Sequence, residues 1–100
     1  MRTKGIVYMM STKDNTAIYT GVTSNLKLRY TQHLNKTFAN SFTARYHCSK
    51  LLYYQEFPDI MSAIAEEKRI KGGSRKTKLA LITALSPGWK DLGPGLMDLD

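Results

Sequence analysis

Two short apolar runs, Gly5-Ile6-Val7-Tyr8 and Ala17-Ile18-Tyr19-Thr20-Gly21, flank a polar stretch from Ser11 to Thr16 that holds an Asp14-Asn15 pair. β-Branched and aromatic residues on either side of such a turn predict two antiparallel strands. Further on, Leu26, Tyr30 and Leu34 fall at i, i+4 and i+8 behind the capping residues Thr23-Ser24-Asn25. That spacing predicts a helix over about residues 26–36 with those three side chains as its core stripe. Residues 37–49 are polar and irregular and read as an excursion across the surface. The run from Lys50 to Phe57, stopped by Pro58, predicts a third strand. Asp59 is placed to cap a helix from Ile60 to Lys71, which Gly72-Gly73 ends. A last helix is expected from Ser74 or Arg75 to Leu85, ahead of Pro87-Gly88. The order is β-β-α-β-α-α: a small three-stranded antiparallel sheet flanked by helices, an α+β layer fold.

One hundred residues suit a single domain. We expect it to span residues 1–90, with residues 91–100, which carry Gly93-Pro94-Gly95, as a loosely held tail. Trp89, just after the last helix, is expected to pack on the body in preference to binding a base. No apolar run approaches the ~20 residues of a membrane span. Met1 to Lys4 lead into a strand with no signal-peptide core, and the single cysteine, Cys48, suits a reducing cytosol. His47 and Cys48 are adjacent, with no second pair at zinc spacing, and make a poor metal site.

Charge narrows the partner class. Fifteen Lys and Arg against eight Asp and Glu leave a net +7. Residues 25–78 hold eleven basic residues against four acids, so the folded middle is more basic still. Such a balance favours an anionic partner, most often nucleic acid.

One carboxylate breaks the apolar pattern. With Ile60 at 0° and about 100° per residue, Ile64 falls near 40°, Ala63 near 300°, Ile70 near 280° and Glu67 near 340°. Glu67 therefore lies within the apolar stripe, and Glu66 toward its edge. A carboxylate on a buried face needs a cation, a donor or a metal. Two readings stand: an ion pair with Lys71 four residues on, or a metal ligand where the stripe opens onto a pocket. Arg29 and His33 are also four apart and share one flank of the first helix. Tyr8 and Tyr19, taken alone, read as packed aromatics on a half-buried sheet. Together, two phenols, an Arg-His pair, one carboxylate and a basic surface match what phosphodiester hydrolysis requires.

The ordered set of these pieces resembles a GIY-YIG nuclease domain, of the small single-domain bacterial kind that is also found at the N-terminus of a bacterial excision-repair nuclease. The resemblance covers about residues 3–86. The first motif stands as Gly5-Ile6-Val7-Tyr8 and the second as Tyr19-Thr20-Gly21, with Thr for the usual Ile. The stretch from Leu26 to His33 resembles the Arg-to-His helix, and that from Ala63 to Lys71 the Glu-Lys-x-x-Lys helix. The resemblance implies a cytoplasmic endonuclease that hydrolyses DNA phosphodiesters with one divalent ion, Mg2+ or Mn2+, in DNA repair or processing. It makes Tyr8 and Tyr19 the active-site tyrosines and Arg29 the phosphate-stabilising cation. His33 becomes a proton- or water-handling group and Glu67 the metal ligand. Lys27, Lys36, Arg45, Lys68, Lys71, Arg75 and Lys78 are the expected nucleic-acid contacts. The expected substrate is DNA, branched or damaged, with a protein partner to supply specificity. Two departures stand out: no asparagine follows the glutamate helix, and Gly73 replaces a frequent Trp. Residues 72–78 either bind phosphate through Ser74, Arg75 and Lys78, or catalysis is weak and the scaffold only binds nucleic acid.

Overall fold

The computed structural model describes residues 4–35 and 48–98. Its first two strands, β1 (Gly5–Ser11) and β2 (Ile18–Thr23), form the hairpin expected from the apolar runs, with the ladder extended two or three residues past each run. The turn is held by its own side chains. Thr12 Oγ1 donates to Asp14 Oδ1 at 2.7 Å, and Asn15 takes the left-handed conformation at φ 62°. A short polar side chain that can bond locally tolerates that region better than most residues. Asn15 also anchors the tip to the body, because its Oδ1 accepts from Lys50 Nζ and its backbone carbonyl accepts from Arg75.

β3 (Lys50–Phe57) pairs antiparallel with β1, so the sheet order is β2-β1-β3 and the first strand is central. A central strand covered on both faces need not alternate polar with apolar. This explains the consecutive buried residues Val7, Tyr8, Met9 and Met10. Two separate cores result. Val7 and Met9 face Leu52, Tyr53, Ala63, Ile70 and Ile82. Tyr8 and Met10 face Leu26, Tyr30, Cys48, Leu51 and Leu96. The ladder shifts register at Met9/Met10, where Leu52 has no opposite number. That bulge turns both Leu52 and Tyr53 into the first core.

The helices are α1 (Leu26–Leu34), α2 (Ile60–Lys71), α3 (Arg75–Leu85) and a short α4 (Gly93–Met97). The first three start on side-chain caps: Asn25, Asp59 and Ser74 accept from the backbone N–H three residues on. α2 and α3 supply the first core; α1 and α4 supply the second. Gly5 is the contact point for α2, since a Cβ there would run into Ala63 and lie 2.9 Å from Ile60 Cα.

Two expectations are corrected. Leu34 is exposed, and His33 takes its place on the buried stripe with Leu26 and Tyr30. On a helix His33 falls roughly 20° to one side of Leu26 and Leu34 roughly 80° to the other, so the histidine is nearer the core axis. The tail beyond residue 90 is not loose up to Met97. Asp91 Oδ1 accepts from Leu51 N at 2.9 Å, Leu92 N donates to Leu51 O at 2.7 Å, and Leu96 is buried in the second core. Gly93 permits this, because Tyr30 lies where its Cβ would be. Tyr54 is half-buried and packs against the second core, while Tyr53 fills the first. The surface excursion expected over residues 37–49 lies outside the described residues except for Cys48 and Ser49. Trp89 does pack on the body, against the first core, with Nε1 donating to Thr83 Oγ1 at 3.1 Å.

Thr20, where the motif usually has Ile, is buried opposite Met9 and its hydroxyl has no partner among the described residues. An unpaired buried hydroxyl is destabilising by about 1–3 kcal/mol. Thr20→Val should therefore raise Tm by roughly 4 °C or more in calorimetry; an unchanged or lower Tm would show that the hydroxyl is satisfied.

Candidate active site

The site grows from the hairpin register. Tyr8 pairs with Gly21 and Met10 with Tyr19, so Tyr8 and Tyr19 stand diagonally on one face of the β1–β2 ladder. A diagonal pair is within reach of aromatic side chains. Their ring centroids are 6.1 Å apart and tilted by 48°. Both rings lean over Gly21: a Cβ there would sit 2.6 Å from Tyr8 Oη and 2.8 Å from Tyr19 Cε1. The glycine is required because the two phenols occupy the space above its Cα.

α1 closes the cluster. Its stripe places His33 against both tyrosines, with centroid distances of 5.7 Å to each. The Tyr8 hydroxyl and His33 Nε2 share a buried hydrogen bond of 2.9 Å. Burial, and then the Arg29 guanidinium one turn earlier, push the His33 pKa down to about 4. The imidazole is thus neutral at pH 7, and with its proton on Nδ1 it accepts the Tyr8 hydroxyl proton at Nε2. Burial also raises the Tyr8 pKa, helped by neighbouring Tyr19 and opposed by Arg29. Tyr8 is therefore neutral, with no exposed surface, whereas Tyr19 is half-buried. Arg29 belongs electrostatically to the same cluster, since its charge acts on both Tyr8 and His33.

Glu67 arrives from the other layer. Its side chain is 15% exposed and pairs with Lys71 at 3.5 Å. Lys71 Nζ in turn lies 5.8 Å from the centre of the Tyr19 ring. The ion-pair reading of Glu67 is therefore realised, and the pair sits on the tyrosine cluster instead of on inert core. Glu66 does something different, holding Arg69 through a bidentate pair of 2.6 and 2.7 Å on the surface. Among the described residues no three His, Cys, Asp or Glu side chains gather as a metal-binding group. Glu67 is the carboxylate available to a cation at the cluster. Cys48 is buried with its thiol pKa pushed up to about 11, which makes it a small apolar core residue.

The expected nucleic-acid contacts divide. Lys68 and Lys71 are exposed on α2, Arg75 is exposed at the start of α3, and Lys27 and Lys78 are half-buried. Lys36 and Arg45 lie outside the described residues. The sequence marks Lys71 only as a pairing or surface cation. Its i+4 spacing from Glu67 is the one signal that it joins the site.

The chain is similar to known proteins over most of its length. Residues 4–80 match the GIY-YIG catalytic domain. A UPF0213 protein of Staphylococcus haemolyticus is 34% identical over 79 residues, covering 79% of this chain and 94% of that protein. A UPF0213 protein of Syntrophus aciditrophicus is 30% identical over 79 residues, covering 79% and 90%. The solution NMR structure of a UPF0213 protein from Bacillus halodurans is 28% identical and superposes with a TM-score of 0.52, covering 85% of this chain and 87% of that one.

The depressed His33 pKa has a signed consequence. Unfolded, the imidazole binds a proton below about pH 6.5; folded, it resists until about pH 4. His33 thus favours the folded state fully above pH 6.5, and that contribution is lost as pH falls from 6.5 toward 4. Thermal denaturation from pH 8 to pH 4 should show a steeper loss of Tm for the wild type than for His33→Gln. Parallel curves would show that the imidazole titrates normally.

Proposed function

The chain belongs to the GIY-YIG family, and from that membership we propose that it is a divalent-metal-dependent endonuclease that hydrolyses DNA phosphodiester bonds. The observation that supports this reading is the cluster of Tyr8, Tyr19 and His33 under the charge of Arg29, with the Lys71 ammonium of the Glu67–Lys71 pair 5.8 Å from the centre of the Tyr19 ring.

The donor set fits a hard cation. One mostly buried carboxylate, already paired with an ammonium group, suits an ion such as Mg2+ or Mn2+ that keeps several waters and takes its remaining oxygens from substrate phosphate. Bound at Glu67, such an ion would supply positive charge to the phosphate and its leaving oxygen. Arg29 offers a planar fork to the phosphoryl oxygens where negative charge grows. The two tyrosines take different roles. Tyr8 is buried, neutral and hydrogen-bonded to His33, so it orients the imidazole and fixes the floor of the site. Tyr19 is the phenol that can reach water, and it positions the attacking water at the phosphate. Lys71 holds Glu67 in place in the free protein and adds positive charge beside the substrate.

The surrounding surface supports a nucleic-acid substrate. Lys68, Lys71 and Arg75 are exposed near one another in sequence across the α2–α3 junction. Basic side chains grouped in this way bind the phosphate backbone with a strong salt dependence. A role in DNA repair or processing, a branched or damaged substrate and a specificity-supplying protein partner are part of the same proposal. Among the described residues no helix is long and apolar enough to cross a membrane.

In a supercoiled-plasmid and oligonucleotide cleavage assay with Mg2+ or Mn2+, Glu67→Ala and Arg29→Ala should each lower the rate by about 10²-fold or more without loss of the circular-dichroism spectrum. Tyr19→Phe should slow cleavage with little change in Tm. Tyr8→Phe should lower stability by about 1–2 kcal/mol as well, because it removes the buried hydrogen bond to His33 Nε2. Chelation should abolish cleavage. Binding that survives chelation, with no cleavage under any condition, would mean a nucleic-acid-binding scaffold without chemistry.

A further inference from the structure

Beside the tyrosine cluster lies a second concavity that the hydrolysis itself does not use. It is a cleft of about 550 Å³ lined by Tyr54, Lys90, Asp91, Leu92, Pro94, Gly95 and Leu96. Its position follows from the sheet. Tyr54 on β3 is directly opposite Tyr8 on β1, so the cleft shares the face that carries the catalytic phenols and is one strand further along. Residues directly opposite each other in an antiparallel pair have Cβ atoms roughly 5 Å apart. The cleft therefore adjoins Tyr8, the buried phenol that contacts Tyr19 and His33.

We propose that this cleft binds an unpaired nucleobase next to the scissile phosphate, with Tyr54 as its stacking surface. The inference rests on the nuclease reading above for its place beside a phosphate, but its lining is informative by itself. One aromatic ring, two leucines and a proline give the cleft an apolar wall of the kind on which a base stacks. The Tyr54 hydroxyl makes no hydrogen bond among the described residues, which leaves it available to a base edge. Asp91 argues against a phosphate inside the slot. Its carboxylate is held in place by the backbone N–H groups of Leu51 and Gly93, and it suits the exocyclic amine of a base better than another anion. Exposed Lys90 then meets the backbone of the same nucleotide. Nothing fluid is needed to form the slot, because Leu92 and Leu96 are fastened to the second core.

A base seated there cannot remain stacked in a duplex. The proposal therefore assigns the protein a preference for single-stranded or locally unpaired DNA around the cut. The unpairing required by a duplex costs a few kcal/mol, and base–aromatic stacking returns about 1–3 kcal/mol per base.

The test uses isotopically labelled protein in chelator, so that no cleavage enters the readout. Deoxyadenosine monophosphate should shift the amide resonances of β3 and of residues 90–96 saturably, and deoxyribose 5-phosphate should not. Tyr54→Leu, which keeps apolar volume but removes the ring, should abolish those shifts while retaining a dispersed spectrum. In fluorescence anisotropy the same variant should lose about tenfold in affinity for a single-stranded oligonucleotide and leave duplex affinity unchanged. Tyr54→Ala should do the same if it folds. Equal shifts from the sugar phosphate, no shifts at all, or an unchanged single-strand to duplex ratio in Tyr54→Leu would overturn the proposal. Nucleotide shifts that persist in a protein whose cleavage ignores Glu67→Ala would leave the slot standing and remove the nuclease reading instead.

Discussion

The buried hydrogen bond between the Tyr8 hydroxyl and His33 Nε2 is the constraint from which the site follows. A phenol with no exposed surface must be partnered, and the 2.9 Å bond to a neutral imidazole is how this fold meets that need. To make the bond, α1 must turn His33, not Leu34, toward the sheet. To leave room for the ring, the residue across the ladder must be Gly21. With Tyr8 and His33 fixed, Tyr19 is wedged between them and the edge of the sheet, and Arg29 is carried in one turn earlier on the same helix. A packing requirement in the second core thus becomes the floor of the proposed site. The stability of the core and the geometry of the site cannot be separated at this point.

The second constraint is charge. Glu67 is a carboxylate that the apolar stripe of α2 draws toward the interior, and Lys71 is the cation that makes this tolerable. Because Lys71 also lies over the Tyr19 ring, the pair links the two layers of the fold at the cluster. The carboxylate is mostly buried and the lysine that holds it is about half exposed. Under the proposed metal binding the ammonium group would give way to the ion, so that the ion pair and the metal ligand would be two states of one residue.

Much of this was legible in the sequence, for reasons specific to each element. The hairpin was readable because its apolar runs flank a polar turn, and the third strand and the two long helices because Pro58, Asp59, Gly72 and Ser74 punctuate them. Glu67 stood out because its angle on the helix is wrong for a charge. What the sequence did not carry depended on contacts between distant segments. The side-chain types favour Leu34 for the first helix's stripe, whereas the helix angle and the demand of Tyr8 for a partner both select His33. The tail looked loose because Gly93-Pro94-Gly95 is turn-like; it is held because Tyr30 needs a residue without a side chain beside it, and Leu51 offers both backbone groups to Asp91 and Leu92. The place of Lys71 over Tyr19, and the cleft at Tyr54, are products of sheet register that no local pattern encodes.

The central claim is that the tyrosine cluster and Glu67 form one phosphate-cleaving centre. Its most direct test is anomalous diffraction from a crystal of the protein with Mn2+ and an oligonucleotide carrying a non-cleavable phosphate analogue. The account predicts one manganese peak on the Glu67 carboxylate, Lys71 displaced from it, and a phosphate between that ion, Arg29 and the Tyr19 hydroxyl. Manganese bound elsewhere, with Glu67 still paired to Lys71 while the phosphate is in place, would contradict it.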